Sequence, residues 1–155
     1  FGLRYHSVLS PGESISSCAL TATRLSDTTD VTGTFLASAS ATIPTSTATG
    51  GTTTTLVSAS NLSTAGFRVG DYVVNATQGW SALISEIKKT TVANDTLVFN
   101  QQATAGTASD AFTAAKAIAS LKAGLNGERI KVTFKATTSL SKKYEDEILV
   151  NVKDS

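Results

Sequence analysis

Residues 67–87, FRVGDYVVNATQGWSALISEI, read as strand, turn, strand. Gly70-Asp71 turns the chain into a first strand over residues 71–76, and Thr77-Gln78-Gly79 turns it again into a second over residues 81–87. Gly tolerates the positive φ of a tight reversal, and Asp or Asn accepts hydrogen bonds from the turn it begins. Alternation puts Tyr72 and Val74 on one face and Val73 and Asn75 on the other. The second strand alternates more loosely, with Leu83, Ser85 and Ile87 opposed to Ala82, Ile84 and Glu86. β-branched and aromatic runs bounded by Gly, Asp and Asn are the pattern of a hairpin. Nothing in the stretch has the make-up of a catalytic constellation.

Outward from the hairpin, residues 52–58 and 95–99 extend the β pattern, with residues 88–94 as a polar turn. Residues 45–55 are almost entirely Thr, Ser, Ala and Gly, the composition of a flexible linker. Because residues 52–57 run into apolar positions, a solvated arm leading into a strand is the other reading. Residues 101–109 form a second low-complexity loop, and residues 110–116 have no clear period. Further out, residues 3–8 and 14–23 read as strands around the turn Ser10-Pro11-Gly12-Glu13, and residues 24–30 as a polar loop. Residues 31–43, with Phe35 and Leu36, suit one long strand or two bent at Gly33. On the C-terminal side, residues 117–122 are a strand candidate and Gly124-Leu125-Asn126-Gly127 a turn. Residues 129–138 alternate cleanly: Ile130, Val132, Phe134 and Ala136 face one way, Arg129, Lys131, Thr133 and Lys135 the other. Residues 139–143 turn, and residues 147–153 close the chain with Ile148, Val150 and Val152 inward. No stretch sustains a helical period; residues 111–119 offer one helical turn at most. Short strands with frequent turn signals predict an all-β protein, a sandwich or barrel.

Composition agrees. Ser and Thr exceed a quarter of the 155 residues, which suits strands with exposed faces and many turns. The net charge of +1 gives no electrostatic case for nucleic acid or an anionic membrane. No apolar run is long enough to span a bilayer as a helix. No signal peptide is legible at Phe1-Gly2-Leu3-Arg4, and since the chain does not begin with Met, a targeting segment ahead of Phe1 is left open.

The chemistry-bearing residues are few. Cys18, the single cysteine, cannot form an internal disulfide and reads as a buried thiol among Ile15, Ala19 and Leu20. His6, the single histidine, would be the base of any Ser-His-Asp triad, but no nucleophile-elbow motif accompanies it. Asp27 with Asp30, and Glu145-Asp146-Glu147, lack the spacing of a calcium loop and read as solvated charge. Lys88-Lys89 and Lys142-Lys143 read as solvated turns. Asn61-Leu62-Ser63, Asn75-Ala76-Thr77 and Asn94-Asp95-Thr96 match the glycosylation acceptor pattern as chance matches in a Ser/Thr-rich chain. No catalytic, cofactor-binding or metal-binding residue is assigned, and no cofactor is expected. Tyr72 and Trp80 flank the hairpin; both read as core, with a partly exposed Trp80 serving as a contact anchor as the alternative.

Several motifs recur in an order that is familiar. Tyr5-His6-Ser7-Val8-Leu9-Ser10-Pro11-Gly12-Glu13-Ser14-Ile15 gives a leading strand and a turn into the second. Then come Leu121-Lys122-Ala123-Gly124-Leu125-Asn126-Gly127, an alternating strand ending in Thr137-Thr138-Ser139, and Tyr144-Glu145-Asp146-Glu147 opening the last strand. These outer segments resemble a small Ig-like domain of tailed-bacteriophage virion structural proteins. The middle carries a Thr-rich strand over residues 52–57, Val69-Gly70-Asp71-Tyr72-Val73-Val74-Asn75, Thr77-Gln78-Gly79, Thr96-Leu97 and Asp110-Ala111-Phe112. It resembles a second small β module common in phage head and tail proteins, with Trp80 standing where that module usually has a small polar residue.

The resemblance implies an Ig-like β-sandwich over residues 1–43 and 118–155, with a second small β domain, residues 44–117, inserted in a loop. Insertion requires neighbouring entry and exit points, so residues 39–43 and 117–121 are expected to be adjacent strands. The function implied is that of a non-enzymatic structural component of a tailed-bacteriophage particle: a capsid decoration, or cement, protein that coats or stabilises the head. It would be assembled in the host bacterial cytoplasm and reside in the virion. Its partners would be the major capsid protein or neck and tail proteins, with the chain itself a homo-oligomer or present in many copies on a lattice. The alternative is a neck or tail accessory protein, or a tail-fibre adhesion module binding a host receptor or glycan. A third class, a cell-wall hydrolase, finds no paired acids or metal ligands in a recognisable setting.

One cysteine and one histidine cannot build a structural zinc site. We therefore expect neither EDTA nor a thiol reductant to move the thermal midpoint; a drop of more than a few degrees on chelation would reveal a missed metal.

Overall fold

The computed structural model describes residues 1–89, 95–99, 108–122 and 124–153. The elements, in chain order, are β1 (Gly2–Arg4), β2 (Ile15–Arg24), α1 (Thr32–Phe35), β3 (Thr45–Gly51), β4 (Thr55–Ser58), β5 (Tyr72–Asn75), β6 (Trp80–Lys89), β7 (Asp95–Phe99), β8 (Ala111–Ala114), β9 (Lys116–Ile118), β10 (Arg129–Thr138) and β11 (Lys143–Asn151). The protein is all-β apart from the single turn α1, and no helix among the described residues is long and apolar enough to cross a membrane. The chain divides into two compact units. Unit 1 comprises Phe1–Leu3, Ile15–Thr42 and Ala117–Ser155; unit 2 comprises Arg4–Ser14 and Ile43–Lys116.

Unit 1 is built on the antiparallel sheet β11-β10-β2. The alternation of residues 129–138 appears as predicted: Ile130, Val132, Phe134 and Ala136 are buried, and across the register they meet Arg24, Ala22, Leu20 and Cys18 of β2. The opposite face carries Lys131–Glu147 and Lys135–Glu145 ion pairs at 2.8 and 3.5 Å. Those pairs are largely exposed and contribute about 0–1 kcal/mol each. A fully buried Leu or Phe contributes about 1.5–3 kcal/mol, so the inward face holds this sheet. Phe1 packs edge-on against Phe134, with centroids 5.9 Å apart. Thr42 and Ile118 exchange both backbone hydrogen bonds at 2.8 Å, and Leu36 bridges Leu121.

Residues 31–43, expected as a strand, begin instead with α1. The Asp30 carboxylate accepts the Thr32 N–H at 2.8 Å, the Thr32 hydroxyl accepts the Ala22 N–H at 2.8 Å, and the helical turn carries Val31 and Phe35 to the interior together. An Asp-x-Thr start competes with extended structure by offering the backbone a local acceptor. Residues 3–8, also expected as a strand, stay extended only to Arg4; the N–H groups of Val8 and Leu9 both turn back to the Tyr5 carbonyl.

Unit 2 is a closed barrel of order β3-β4-β7-β6-β5-β8. Its interior holds Leu56, Phe67, Val73, Trp80, Ile84, Leu97, Phe99 and Phe112. Residues 45–51, which read as linker, form a strand because both edges are paired, with β8 through Thr45, Ser46 and Thr47 and with β4 through Ala48, Gly50 and Gly51. Residues 111–114, without a clear period, are ordered the same way between β3 and β5. Bulges supply the bends that closure requires. In β6 the register steps from Ile84 opposite Phe99 to Glu86 opposite Val98, leaving Ser85 extra and bringing Ile87 against the core. In β3 it steps between Ala48 and Gly50. The expected low-complexity loop of residues 101–109 lies mostly outside the described residues, as do Asn94 of one glycosylation match and Ala123.

Residues 5–14 lie on the barrel. Gly12 donates its N–H to Ser81 Oγ at 3.2 Å and has φ +75°. A Cβ there would meet the Gly79 backbone at 2.6 Å. Gly12→Ala should therefore destabilise by about 1–2 kcal/mol from the left-handed backbone alone, and by more from the contact. Gly50→Ala, where a Cβ meets nothing within 4 Å, should stay within about 1 kcal/mol of wild type. Urea midpoints at constant m-value measure both.

Candidate functional site

The Gly70-Asp71 turn that opens the hairpin carries the densest charge cluster of unit 2. Asp71 is 1% exposed. Its Oδ2 accepts the Arg68 N–H at 2.9 Å and pairs with the Lys116 ammonium, which is itself nearly buried. Arg4 stands 3.3 Å from Oδ1, an ion-pair contact outside hydrogen-bond geometry. The carboxylate thus joins three segments distant in sequence. With every near neighbour a cation or a backbone donor, it is arranged for holding rather than for proton transfer.

Two more buried carboxylates do similar work. Asp95 accepts the Leu62 N–H at 2.8 Å, pinning the loop between β4 and β5. Asp110 takes the side-chain amides of Asn75 and Gln78 at 3.0 and 3.3 Å, while Asn75 Oδ1 accepts the Gln78 N–H at 3.0 Å. Asn75 is buried, in the barrel wall, and its neighbours Ala76 and Thr77 belong to the turn that this network fixes. In the sequence Asp71 and Asp110 stand out as turn and motif residues and Asp95 only within a glycosylation match; the signal for burial was a turn position beside Tyr72 for Asp71 and beside Ala111 for Asp110, with none for Asp95.

The structure corrects the contact-anchor reading of Trp80. The indole is 7% exposed, stacks edge-on with Phe99 at 5.4 Å, and pairs inward across from Asn75. Tyr72 is half-buried, and His6 lies over it with centroids 4.6 Å apart and planes at 4°. The two rings, with Leu9, Pro11, Val74, Ser81 and Ala115, line a cavity of about 180 Å³. Tyr72 and Trp80 therefore do not form the paired stacking surface an adhesion module would use. His6 is committed to that stack, and Cys18 is 3% exposed in the core of unit 1. Among the described residues no group of three His, Cys, Asp or Glu side chains is placed to hold a metal ion.

Unit 1 carries a cleft at one end. It has a volume of about 310 Å³ and is lined by Val31, Phe35, Leu125 and Ile130, with Arg24 and Glu128 at its side. Gly124 lets the turn close over Phe35: a Cβ there would meet the ring at 3.1 Å and Val152 at 2.8 Å. The same turn borders a second cleft with Leu25 and Arg129. Leu125 is 70% exposed and Leu25 40%. Arg24 donates to Glu128 at 2.7 Å and to Asp27 at 3.2 Å. Asp27 and Glu128 raise the guanidinium pKa above its ordinary value, and the Thr29 N–H holds the Asp27 carboxyl below its own. Two exposed leucines and an apolar floor thus stand beside the Arg24–Asp27–Glu128 charge cluster.

Comparison of the chain with protein-family models, with curated proteins and with solved structures finds no match.

The Asp71–Lys116 pair is testable by a double-mutant cycle. Lys116→Met leaves the buried carboxylate with only the more exposed Arg4, 3.3 Å from Oδ1, and should cost up to about 3–5 kcal/mol. Asp71→Asn combined with Lys116→Met should cost less than Lys116→Met alone, read from urea unfolding. Strict additivity would show that the two side chains do not act on each other.

Proposed function

We propose that this chain is a non-enzymatic structural component of a tailed-bacteriophage particle, a decoration or cement protein of the head. In this reading residues 1–43 and 118–155 make an Ig-like β-sandwich and residues 44–117 a small β domain set into one of its loops, with the departure that Arg4–Ser14 groups with the second unit. The observation that carries the proposal is the ordered series of sequence motifs, several of which fall at turns and strand starts, whereas the leading strand expected over residues 5–9 is replaced by a turn on Tyr5. Pro11-Gly12-Glu13 is a turn leading into β2, and Gly124–Gly127 lead into β10, which ends in Thr137-Thr138. Tyr144-Glu145-Asp146-Glu147 opens β11. Gly70-Asp71 turns into β5, Thr77-Gln78-Gly79 joins it to β6, Thr96-Leu97 lies in β7 and Asp110 precedes β8. The pairing of Thr42 with Ile118 supports the loop insertion, since it brings the two junctions of unit 1 together.

The mechanism is burial of surface against a repeating lattice, without turnover. The cleft between Leu25 and Leu125 supplies the apolar contact, and the charges of Arg24, Glu128 and Arg129 orient it. A net charge of +1 keeps many copies from repelling one another on one shell.

The test mixes purified protein with particles that lack it and counts bound copies at saturation. Saturable binding at a copy number matching the shell lattice is the expected outcome; one ring's worth would place the protein at the neck or tail. Leu125→Asp should weaken binding at least about tenfold, or 1.4 kcal/mol. Absence of saturable binding to heads, necks and tails would sink the proposal, and binding to host cells in its place would favour the adhesion reading.

A further inference from the structure

The two outer edges of the sheet β11-β10-β2 are treated differently. The edge of β2 is covered: Leu20 donates its N–H to the Ala39 carbonyl, Ala41 to Cys18 and Val31 to Ala22, at 2.7 to 2.8 Å. Along β11 the hydrogen bonds that continue its ladder with β10 run from Thr138 N–H to the Lys142 carbonyl and from Val152 N–H to the Glu128 carbonyl, both 2.9 Å. Residues opposite one another in an antiparallel ladder alternate between bonded and non-bonded pairs. Both of these bonds fall on even positions of the register that sets Arg129 against Asn151 and Thr137 against Lys143. The backbone groups of Tyr144, Asp146, Ile148 and Val150 therefore turn to β10, and those of Glu145, Glu147, Leu149 and Asn151 turn outward. Among the described residues, no strand pairs with that outward edge.

One side chain does reach it. Asp146 Oδ1 accepts the outward Glu147 N–H at 2.8 Å. Asp146 sits opposite Phe134, on the side of the sheet that carries the core, and is exposed there. A charge on the inner side of an edge strand restrains strand addition, because pairing would bury it.

We propose that this edge pairs with a second copy of the chain, antiparallel about a two-fold axis at Leu149, so that two three-stranded sheets become one of six. Leu149 is 54% exposed and lies in the uncharged run Ile148-Leu149-Val150-Asn151-Val152, which the acids Glu145, Asp146 and Glu147 precede. Both copies must offer outward backbone groups, so odd positions must oppose odd ones; centres from Glu147 to Asn151 all meet this, and Leu149 is chosen because it opposes apolar to apolar residues and Glu145 to Lys153. Centred at Leu149, the register sets Leu149 against Leu149 of the second copy, Ile148 against Val150, Glu147 against Asn151 and Glu145 against Lys153. Apolar pairs and opposite charges opposed in this way stabilise a ladder, and like charges destabilise it. A centre at Glu147 opposes glutamate to glutamate, and one at Asn151 sets Leu149 against Lys153. Asp146 works against the pairing, because it must release the Glu147 N–H and then lies against Val152 of the second copy. The dimer is accordingly reversible and concentration-dependent, with Asp146 setting its strength.

Sedimentation equilibrium of the whole chain tests this, with far-UV circular dichroism checking that each variant is folded. Wild type should show a monomer–dimer equilibrium. Asp146→Val should tighten it, and Leu149→Lys weaken it, each by about tenfold or more. Cysteine pairing reads the register. Cys18 is buried, so Leu149→Cys adds the accessible thiol. Opposed residues in a bonded antiparallel pair have Cα atoms about 5.5 Å apart, within the span of a disulfide. Leu149→Cys should therefore form a covalent dimer on mild oxidation, and Glu145→Cys should not. Monomers throughout, Asp146→Val included, overturn the proposal and leave the edge to a strand of another protein. A dimer indifferent to Leu149→Lys, or one cross-linked through Glu145→Cys instead, overturns it as well.

Discussion

Unit 2 depends on the carboxylate of Asp71. It is buried, and burying an uncompensated carboxylate costs several kcal/mol even after the surroundings relax. Arg4 and Lys116, which answer it, are the first and last residues of unit 2 in chain order. A chain path that failed to bring these cations to the start of β5 would leave the charge unpaired. The interaction therefore acts less as added stability than as a selection among paths. It also sets the direction of β5, because the same side chain accepts the Arg68 N–H and so shapes the turn that aims Val73 and Asn75 into the barrel.

From that turn the barrel closes by devices that leave faint traces in sequence. The hairpin of residues 67–87 was legible because its turns use Gly, Asp and Asn and its strands alternate. The strand β10 was legible for the same reason, with four inward apolar residues at period two. β3 was not: Thr, Ser, Ala and Gly carry no alternation, and its order comes from two paired edges and from Ser46 bonding Ser58 at 2.7 Å. The bulge at Ser85 reverses the parity of β6, so Ile87, assigned with Leu83 to the outer face, packs inward. A parity rule has no means of sensing an extra residue. α1 was missed because one turn is too short to show a helical period.

Trp80 shows how strand phase selects between two readings, core and contact anchor. It stands three residues before Leu83, so it has the parity of Ala82 and Ile84, both inward. Following that parity back across the turn places the indole in the core. The core reading agrees with this phase, and the contact-anchor alternative rested on its position after a turn glycine. The aspartates of unit 2 are a different case. Asp71, Asp95 and Asp110 look like ordinary turn residues, and their burial follows from the cations, amides and N–H groups that the fold delivers to them.

The two units handle exposed backbone in opposite ways. Among the described residues, closure of the barrel pairs both edges of every strand from β3 to β8, which is the most complete protection a β protein has. Unit 1 stays open. Its β2 edge is covered by residues 30–32 and 39–41, and its β11 edge is guarded by a single carboxylate and two cross-strand ion pairs on the outer face. Charge at an edge is a graded protection, since an added strand can outweigh it where its own residues are complementary. The edge association proposed above would use β11 of unit 1, and the exposed Leu25 and Leu125 stand at the clefts of the same unit. A protein that must meet many neighbours in a fixed arrangement needs two such contacts of different kinds. One sets register through hydrogen bonds, and the other adds apolar burial without a register of its own.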